Sequence, residues 1–195
     1  MSKKLSSPSD NNRLSILQTT SRLFCDQGVN VTSFSDISKA VGLSKGTIYY
    51  YYPSKDHLIY DVAEHHLNQI SESIFSWLET ATEATSLHDM LVKLLTCVFQ
   101  AEDPCRLHIC LVNYAIMGND VIKNMLNEKI TKWHTMVDVG LKKVGYPSPV
   151  TDAVFTVLDS IIMKRALGKM DIREEDYSGC IAKYLSATGN GGQHE

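Results

Sequence analysis

The sequence predicts an all-α protein of about nine helices. Apolar residues recur at three- and four-residue spacing along nearly all of the 195 residues, which is the periodicity of helices that bury one face. The sequence has essentially no runs in which apolar and polar residues alternate between turn residues. Such alternation is the pattern of strands. With 44% hydrophobic and 21% charged residues, the chain can bury the core of one or two compact domains.

Capping and turn residues delimit four helices in the first part of the chain. Asp10 can cap the first helix, and Gly28 supplies the left-handed residue that ends it. Ser33 and Ser44 cap two short helices, and Pro53 ends the second of these. The four predicted helices span residues 10–27, 34–41, 45–51 and 54–81.

Five more helices follow, separated by segments rich in polar residues, glycine or proline. They are predicted near 86–101, 104–117, 120–144, 150–169 and 173–187. We place a domain boundary after residue 54, so that residues 1–54 hold an amino-terminal tail and three helices, and residues 55–195 form a helical body.

Charge is divided unevenly between these parts. Residues 1–60 hold seven Lys and Arg against four Asp and Glu, a formal net charge of +3. Residues 61–195 hold twelve against eighteen, a net charge of −6. An acidic total of −3 therefore conceals a basic end, and we expect the two parts to meet different partners.

The same composition predicts a soluble, cytoplasmic protein. Polar residues follow Lys3 and Lys4 where an export signal needs an apolar stretch, and apolar runs fall far short of the roughly 18 residues that span a bilayer. The five cysteines show no paired spacing, which favours reduced thiols in the cytosol.

Residues 33–52, SFSDISKAVGLSKGTIYYYY, have the form of a helix-turn-helix. In this motif two short helices meet at a turn that contains glycine, and the second presents its first residues to the major groove of DNA. The spacing of Ile37, Ala40, Val41, Leu43 and Ile48 predicts that they pack the two helices together. The residues left outside carry hydrogen-bond donors and flat rings, which suit phosphate and base contacts.

From Leu23 to Ile59 the chain closely resembles the tetracycline-repressor (TetR) family of bacterial transcriptional regulators. The resemblance rests on LFCDQGVNVTSFSDISKAVGLSKGTIYYYYPSKDHLI, in which the turn, tyrosine and lysine positions all agree. Two positions depart from the family pattern: Ser38 replaces alanine, and Tyr52 replaces phenylalanine and is expected to be buried. The resemblance implies DNA contacts at Ser33, Ser35, Lys45, Gly46, Thr47, Tyr49, Tyr50, Tyr51 and Lys55.

The resemblance also implies that residues 55–195 bind a ligand and dimerise. Bulky or polar residues of the body are candidates for a pocket that binds a partly apolar effector: Phe75, Cys97, His108, Tyr114, Met117, Trp133 and Met136. The last two helices offer a surface for a symmetric four-helix interface: Phe155, Leu158, Ile162, Tyr177, Ile181 and Tyr184. Taken singly, each of these residues fits ordinary core packing as well.

We therefore expect a ligand-responsive regulator, more specifically a repressor, that binds a near-palindromic operator as a homodimer. A constitutive DNA-binding protein without a ligand and a helical thiol or Ser/His hydrolase are the alternatives. No GxSxG, phosphate-loop or zinc-type spacing is present, so we expect no enzyme activity, cofactor or metal. Cys105, His108 and Cys110 invite a metal or thiol-sensor interpretation, but inert core cysteines are the default.

Overall fold

A computed structural model describes residues 8–79 and 102–168, together with residues 86, 88, 89 and 92 between them. All regular secondary structure in this part of the chain is helical. Seven helices follow one another: α1 (Pro8–Gln27), α2 (Phe34–Val41), α3 (Lys45–Tyr51), α4 (Lys55–Glu79), α5 (Glu102–Ile116), α6 (Asp120–Lys143) and α7 (Pro149–Ala166).

The described helices confirm the predicted all-α class, and their bounds lie within three residues of the predicted ones. The helix predicted at 173–187 and most of the one at 86–101 lie outside the described residues. One packing prediction is wrong: Ala40 is exposed, because it lies on the outer face of α2 whereas Ile37 is fully buried.

Side chains of the sequence itself set the ends of α2 and α3. Ser33 Oγ accepts a hydrogen bond from the Asp36 N–H, and the Ser33 N–H donates to the Asp36 carboxylate, so the predicted Ser33 cap is part of a capping box. Gly42 ends α2 with φ of 75°, a left-handed conformation that favours glycine. Ser44 Oγ then accepts from the Thr47 N–H and starts α3.

Helix α4 belongs to both parts of the molecule. Its 25 residues give it a length of about 38 Å at 1.5 Å per residue. Leu58 and Val62 near its start and Leu67 and Trp77 further along are all buried in one continuous hydrophobic cluster. The amino-terminal trio of helices and the body are therefore joined through a shared core.

Gly140 lets α6 approach α4 closely. A Cβ at this position would lie 2.8 Å from Leu78 Cδ1 and 3.0 Å from two ring atoms of Trp77. Trp77 is 2% exposed, so its ring has no free space into which it can move. The absence of a side chain at Gly140 therefore permits the close packing of α6 against α4 in the body.

We expect Gly140→Ala to destabilise the protein by up to about 2 kcal/mol, because an overpacking cost of about 1–3 kcal/mol against the Trp77 ring outweighs the gain in helix propensity of roughly 1 kcal/mol. Urea unfolding followed by circular dichroism measures this. Gly46→Ala is the matched control, since a Cβ in α3 would meet only Ser44 Oγ at 3.7 Å. Equal or greater stability of Gly140→Ala would contradict the packing described here.

Candidate nucleic-acid interface and body cavity

The outer face of α3 combines exposed aromatic rings with a basic amino-terminal end. Tyr50 is 80% exposed and Tyr49 is 54% exposed, whereas Ile48 between the turn and these tyrosines is fully buried. Lys45 and Gly46 lie exposed in the first turn of the helix. A single short helix thus anchors itself through Ile48 and presents donors and rings to the solvent.

Two contacts fix how α3 is presented. Ser38 Oγ in α2 donates to the Leu43 carbonyl oxygen at 2.7 Å, so the serine that departs from the family pattern holds the turn between the two helices. The rings of Phe34 and Tyr49 meet edge to face with centroids 4.9 Å apart. These contacts orient the outer face of α3 through α2.

Several predicted DNA contacts also have bonding partners within the protein. Tyr51 is half-buried and its hydroxyl donates to Ser9 Oγ at 3.2 Å. Lys55 Nζ donates to the Asn30 carbonyl oxygen at 2.8 Å, and partial burial lowers the pKa of the Lys55 amine. The Lys55 amine has three N–H donors, so this one bond leaves it able to meet a phosphate as well.

The two serines at the start of α2 differ in exposure. Ser33 is exposed and its hydroxyl donates to the Asp36 carboxylate at 2.6 Å, so a phosphate contact there competes with the capping box. Ser35 is half-buried. Thr47 in α3 is half-buried as well, and its Oγ1 lies 2.8 Å from Ser44 Oγ.

Tyr52, the other departure from the family pattern, is buried at 2% exposure. Its hydroxyl oxygen accepts a hydrogen bond from Arg13 Nε at 3.4 Å. The Arg13 guanidinium also forms an ion pair with the Asp61 carboxylate, and these two partners raise the pKa of Arg13. The hydroxyl that a phenylalanine would lack is therefore used to connect α1, the end of α3 and α4.

A cavity of about 440 Å³ lies between α4, α5, α6 and α7. This volume falls in the range that holds drug-sized ligands. The described residues that line it are His66, Gln69, Ile70, Ser73, Ile74, Pro104, Cys105, His108, Ile130, Trp133, His134, Val137, Phe155, Leu158, Asp159 and Ile162. Most of this wall is apolar or aromatic.

The cavity wall contains two uncharged imidazoles, the buried His66 and the half-buried His108. His66 is 3% exposed, and burial lowers its pKa to about 3, with His108 and His65 adding to the shift. Burial also lowers the pKa of His108, whose ring centroid lies 5.6 Å from that of His66. Among the described residues, His66 Nε2 and His108 Nδ1 have no hydrogen-bond partner.

Asp159 is the charged side chain of this wall. The other described lining residues include no Asp, Glu, Lys or Arg. Burial raises the pKa of the Asp159 carboxyl. His134 also lines the cavity, with its Nε2 2.8 Å from the Asp152 carboxylate and its ring stacked on Phe155. The described wall is therefore mildly acidic.

The predicted ligand residues are divided between the cavity and other places. His108 and Trp133 line it, and Trp133 Nε1 donates to Ser71 Oγ at 2.8 Å. Phe75, Tyr114, Met117 and Met136 are not in its lining. Cys97 lies outside the described residues.

The reason for this division is the direction in which each side chain leaves its helix. Phe75 points outward from α4 and is 55% exposed, and Met117 follows the end of α5 and is 75% exposed. Tyr114 and Met136 are half-buried and pack against the hydrophobic core. The predicted dimer residues Phe155, Leu158 and Ile162 also line the cavity of the single chain, and Tyr177, Ile181 and Tyr184 lie outside the described residues.

His66 is one of the cavity residues that were not predicted from the sequence, together with Asp159 and most of the apolar lining. Its position four residues after Val62, within the buried stripe of α4, is the signal that could have found it.

Within residues 8–79 and 102–168, no three His, Cys, Asp or Glu side chains are grouped to hold a metal ion. None of the described helices combines the length and hydropathy needed to span a membrane.

Comparison with known proteins assigns the amino-terminal part to a family. Residues 16–62 match the family model of bacterial regulatory proteins of the tetR family. The HTH-type transcriptional regulator AcrR of Shigella flexneri is 34% identical over 84 residues, which cover 43% of this chain and 37% of AcrR. LmrA of Bacillus subtilis strain 168, also an HTH-type transcriptional regulator, is 25% identical over 153 residues, or 77% of this chain and 81% of LmrA.

The fold of the described chain agrees with these matches. A crystal structure of a putative TetR-family transcriptional regulator from Mesorhizobium loti superposes with a TM-score of 0.77 and 20% identity, covering 94% of this chain and 98% of that one. The comparisons confirm the predicted resemblance to the TetR family over residues 16–62, and both AcrR and LmrA are HTH-type transcriptional regulators.

The lowered pKa of His66 predicts that the free energy of unfolding decreases as the pH falls. Between pH 6.5 and about 3, the histidine is protonated in the unfolded chain but not in the folded one, so the free energy of unfolding decreases as pH falls, by up to about 1.4 kcal/mol per pH unit. Urea unfolding at several pH values should show a weaker decrease in His66→Phe than in the wild type. His88→Phe, at an exposed histidine outside the groups that shift His66, is the control that keeps the wild-type slope; equal slopes for His66→Phe and the wild type would refute a neutral buried His66.

Proposed function

We propose that this chain is a transcriptional regulator of the TetR family and acts as a cytoplasmic homodimeric repressor that binds a near-palindromic operator. An effector that enters the body cavity releases the repressor from this operator. The observation that carries the DNA-binding role is the exposed face of α3. Tyr49 and Tyr50 stand beside a basic first turn there, on a helix that is anchored by Ile48. Helices of this kind enter the major groove by their amino-terminal residues.

The DNA contacts divide by chemistry. Lys45, Gly46 and Thr47 lie in the first turn of α3, the end that would face base edges. Tyr50 lies near the other end of the helix, with its ring edge to face against that of Tyr51. Ser33, Ser35 and Lys55 lie at the starts of α2 and α4, where free backbone N–H groups and side-chain donors suit phosphate oxygens. The net charge of +3 in residues 1–60 supports this orientation on a polyanion.

The cavity supports the effector role. Apolar and aromatic walls with a few polar groups are typical of small-molecule sites, and α4 connects this wall to the end of the helix-turn-helix unit. An effector shifts the protein from its DNA only if it binds the two conformations with different affinity. Because α4 lines the cavity through His66, Ile70 and Ile74, a ligand that changes its position can change the separation of the two recognition helices.

Dimerisation is proposed through α7 and the helix predicted at 173–187. Phe155 and Ile162 are half-buried in a single chain, so part of their surface remains available to a second copy. A twofold-symmetric pair would place two copies of α3 in successive major grooves. Analytical ultracentrifugation of the full chain measures this state directly.

Tyr50→Ala tests the DNA-binding role. Because Tyr50 is 80% exposed, its truncation should leave the fold and the oligomeric state intact while it weakens specific operator binding by about tenfold or more. A mobility-shift titration with the DNA upstream of the protein's own gene measures the change. Tyr60→Ala, on the 39% exposed Tyr60 of α4, is the matched control; wild-type affinity in Tyr50→Ala would refute the role of α3.

The mildly acidic cavity wall predicts selectivity for ligand charge. Naphthalene and 1-naphthylmethylamine should bind at least about tenfold more tightly than 1-naphthoate. The carboxylate of bound 1-naphthoate would face Asp159 and neutral imidazoles, and the described lining residues offer it no compensating cation. Equilibrium dialysis measures the three affinities. Tightest binding of 1-naphthoate would contradict the effector class, and binding of any probe without a change in operator affinity would contradict the effector role of the cavity.

A further inference from the structure

Two neighbouring histidines give one part of the cavity wall a specific need for hydrogen bonds. His66 of α4 and His108 of α5 both line the cavity, and their ring centroids lie 5.6 Å apart. Among the described residues, His66 Nε2 and His108 Nδ1 are buried without a hydrogen-bond partner. A buried polar atom that lacks a partner costs free energy, so a ligand that supplies partners to these nitrogens recovers that cost when it binds.

Three other polar side chains of this wall already have partners within the protein. Trp133 Nε1 donates to Ser71 Oγ at 2.8 Å, and His134 Nε2 lies 2.8 Å from the Asp152 carboxylate. Ser73 Oγ donates to a carbonyl oxygen one turn earlier in α4 at 3.0 Å. A ligand therefore gains little by bonding to these groups, and the two unpaired imidazoles are the stronger anchor for a polar substituent.

The uncharged state of both rings determines which substituent fits them. Burial lowers the pKa of His66 and of His108, and a neutral imidazole has one nitrogen that donates and one that accepts. A hydroxyl both donates and accepts, so it can bond to the unpaired nitrogen of either tautomer. A carboxylate only accepts, and an ammonium group, which Asp159 would attract, only donates. Both of these groups also bring a charge that is costly to bury.

Aromatic rings around this pair favour a ligand with a flat body. The Trp133 ring lies on the cavity wall with its centroid 6.5 Å from that of His108, and the stacked rings of His134 and Phe155 line another part of the wall. Aromatic side chains pack against a further ring by offset stacking or by edge-to-face contact. The volume of about 440 Å³ is within the range of small-molecule sites and is sufficient for a skeleton of two fused rings.

We propose that the small molecule recognised in the body cavity, whose effector role rests on the function proposed above, is an uncharged aromatic alcohol with its hydroxyl between His66 and His108. Neither unpaired nitrogen is exposed in the protein alone. The half-buried His108 ring therefore turns to admit the hydroxyl, while His66 is held in the buried stripe of α4. Side-chain rearrangements of this size are common on binding. The hydroxyl donates to an unprotonated nitrogen and accepts from a protonated one.

Naphthalene derivatives that differ in one substituent test the hydroxyl requirement. In equilibrium dialysis of the full-length protein at pH 7, 1-naphthol should bind about tenfold or more tightly than naphthalene, which has no polar group, and than 1-methoxynaphthalene, whose oxygen only accepts. All three probes are uncharged at this pH, so the comparison isolates the hydrogen bonds. Binding of 1-naphthol no tighter than that of either analogue, or weaker than that of 1-naphthylmethylamine, would overturn the proposal.

Leucine variants assign the preference to the two histidines. His66→Leu and His108→Leu should each reduce the preference for 1-naphthol over naphthalene to about threefold or less while naphthalene still binds, because each removes one unpaired nitrogen. His134→Leu is the matched control, since His134 already has Asp152 as its partner, and it should keep the wild-type preference. Circular dichroism verifies folding, and His66→Phe replaces His66→Leu if the latter does not fold. A wild-type preference in both His66 and His108 variants would overturn the proposal.

Mobility shifts with the same probes separate this ligand class from the effector role itself. Release of the operator by 1-naphthol at a concentration about tenfold or more below that of naphthalene would support both. If 1-naphthol shows the expected binding preference but leaves operator affinity unchanged, the hydroxyl site is supported and the effector role is contradicted. If 1-naphthol and naphthalene release the operator equally well, the effector role is supported and the hydroxyl site is contradicted.

Discussion

The burial of one continuous face of α4 is the constraint on which the rest of this molecule depends. Near its start the helix contributes Leu58 and Val62 to the core around the helix-turn-helix, and further along it contributes Leu67 and Trp77 to the body. Because apolar surface must leave water at both ends of one rigid element, the two parts cannot be packed independently. The glycine that faces Trp77 from α6 is a consequence of the same close packing.

Local features of the fold could be predicted from the sequence. Ser33 and Ser44 cap helices because their short side chains reach N–H groups two or three residues ahead. Such contacts need no knowledge of distant parts of the chain. The exposed face of α3 follows in the same way, since burial of Ile48 directs Tyr50 to the opposite side.

The cavity could be predicted only in part, because it depends on how four helices pack. His108 and Trp133 carry no sequence feature that separates them from Tyr114 or Met136, yet only the first two line the cavity among the described residues. Core packing and pocket lining require the same apolar residue types.

Because α4 is long, a small rotation of this helix about one end displaces its other end by a large distance. A rotation of about 5° about one end displaces the other end of a 38 Å helix by about 3 Å, which is comparable with the rise of about 3.4 Å per base pair in DNA. Arg13, Tyr52 and Asp61 join α1, the end of α3 and α4, so such a rotation would carry the recognition helix with it. In the proposed dimer, a rotation of this size would be enough to shift one recognition helix by about one base pair relative to its half-site.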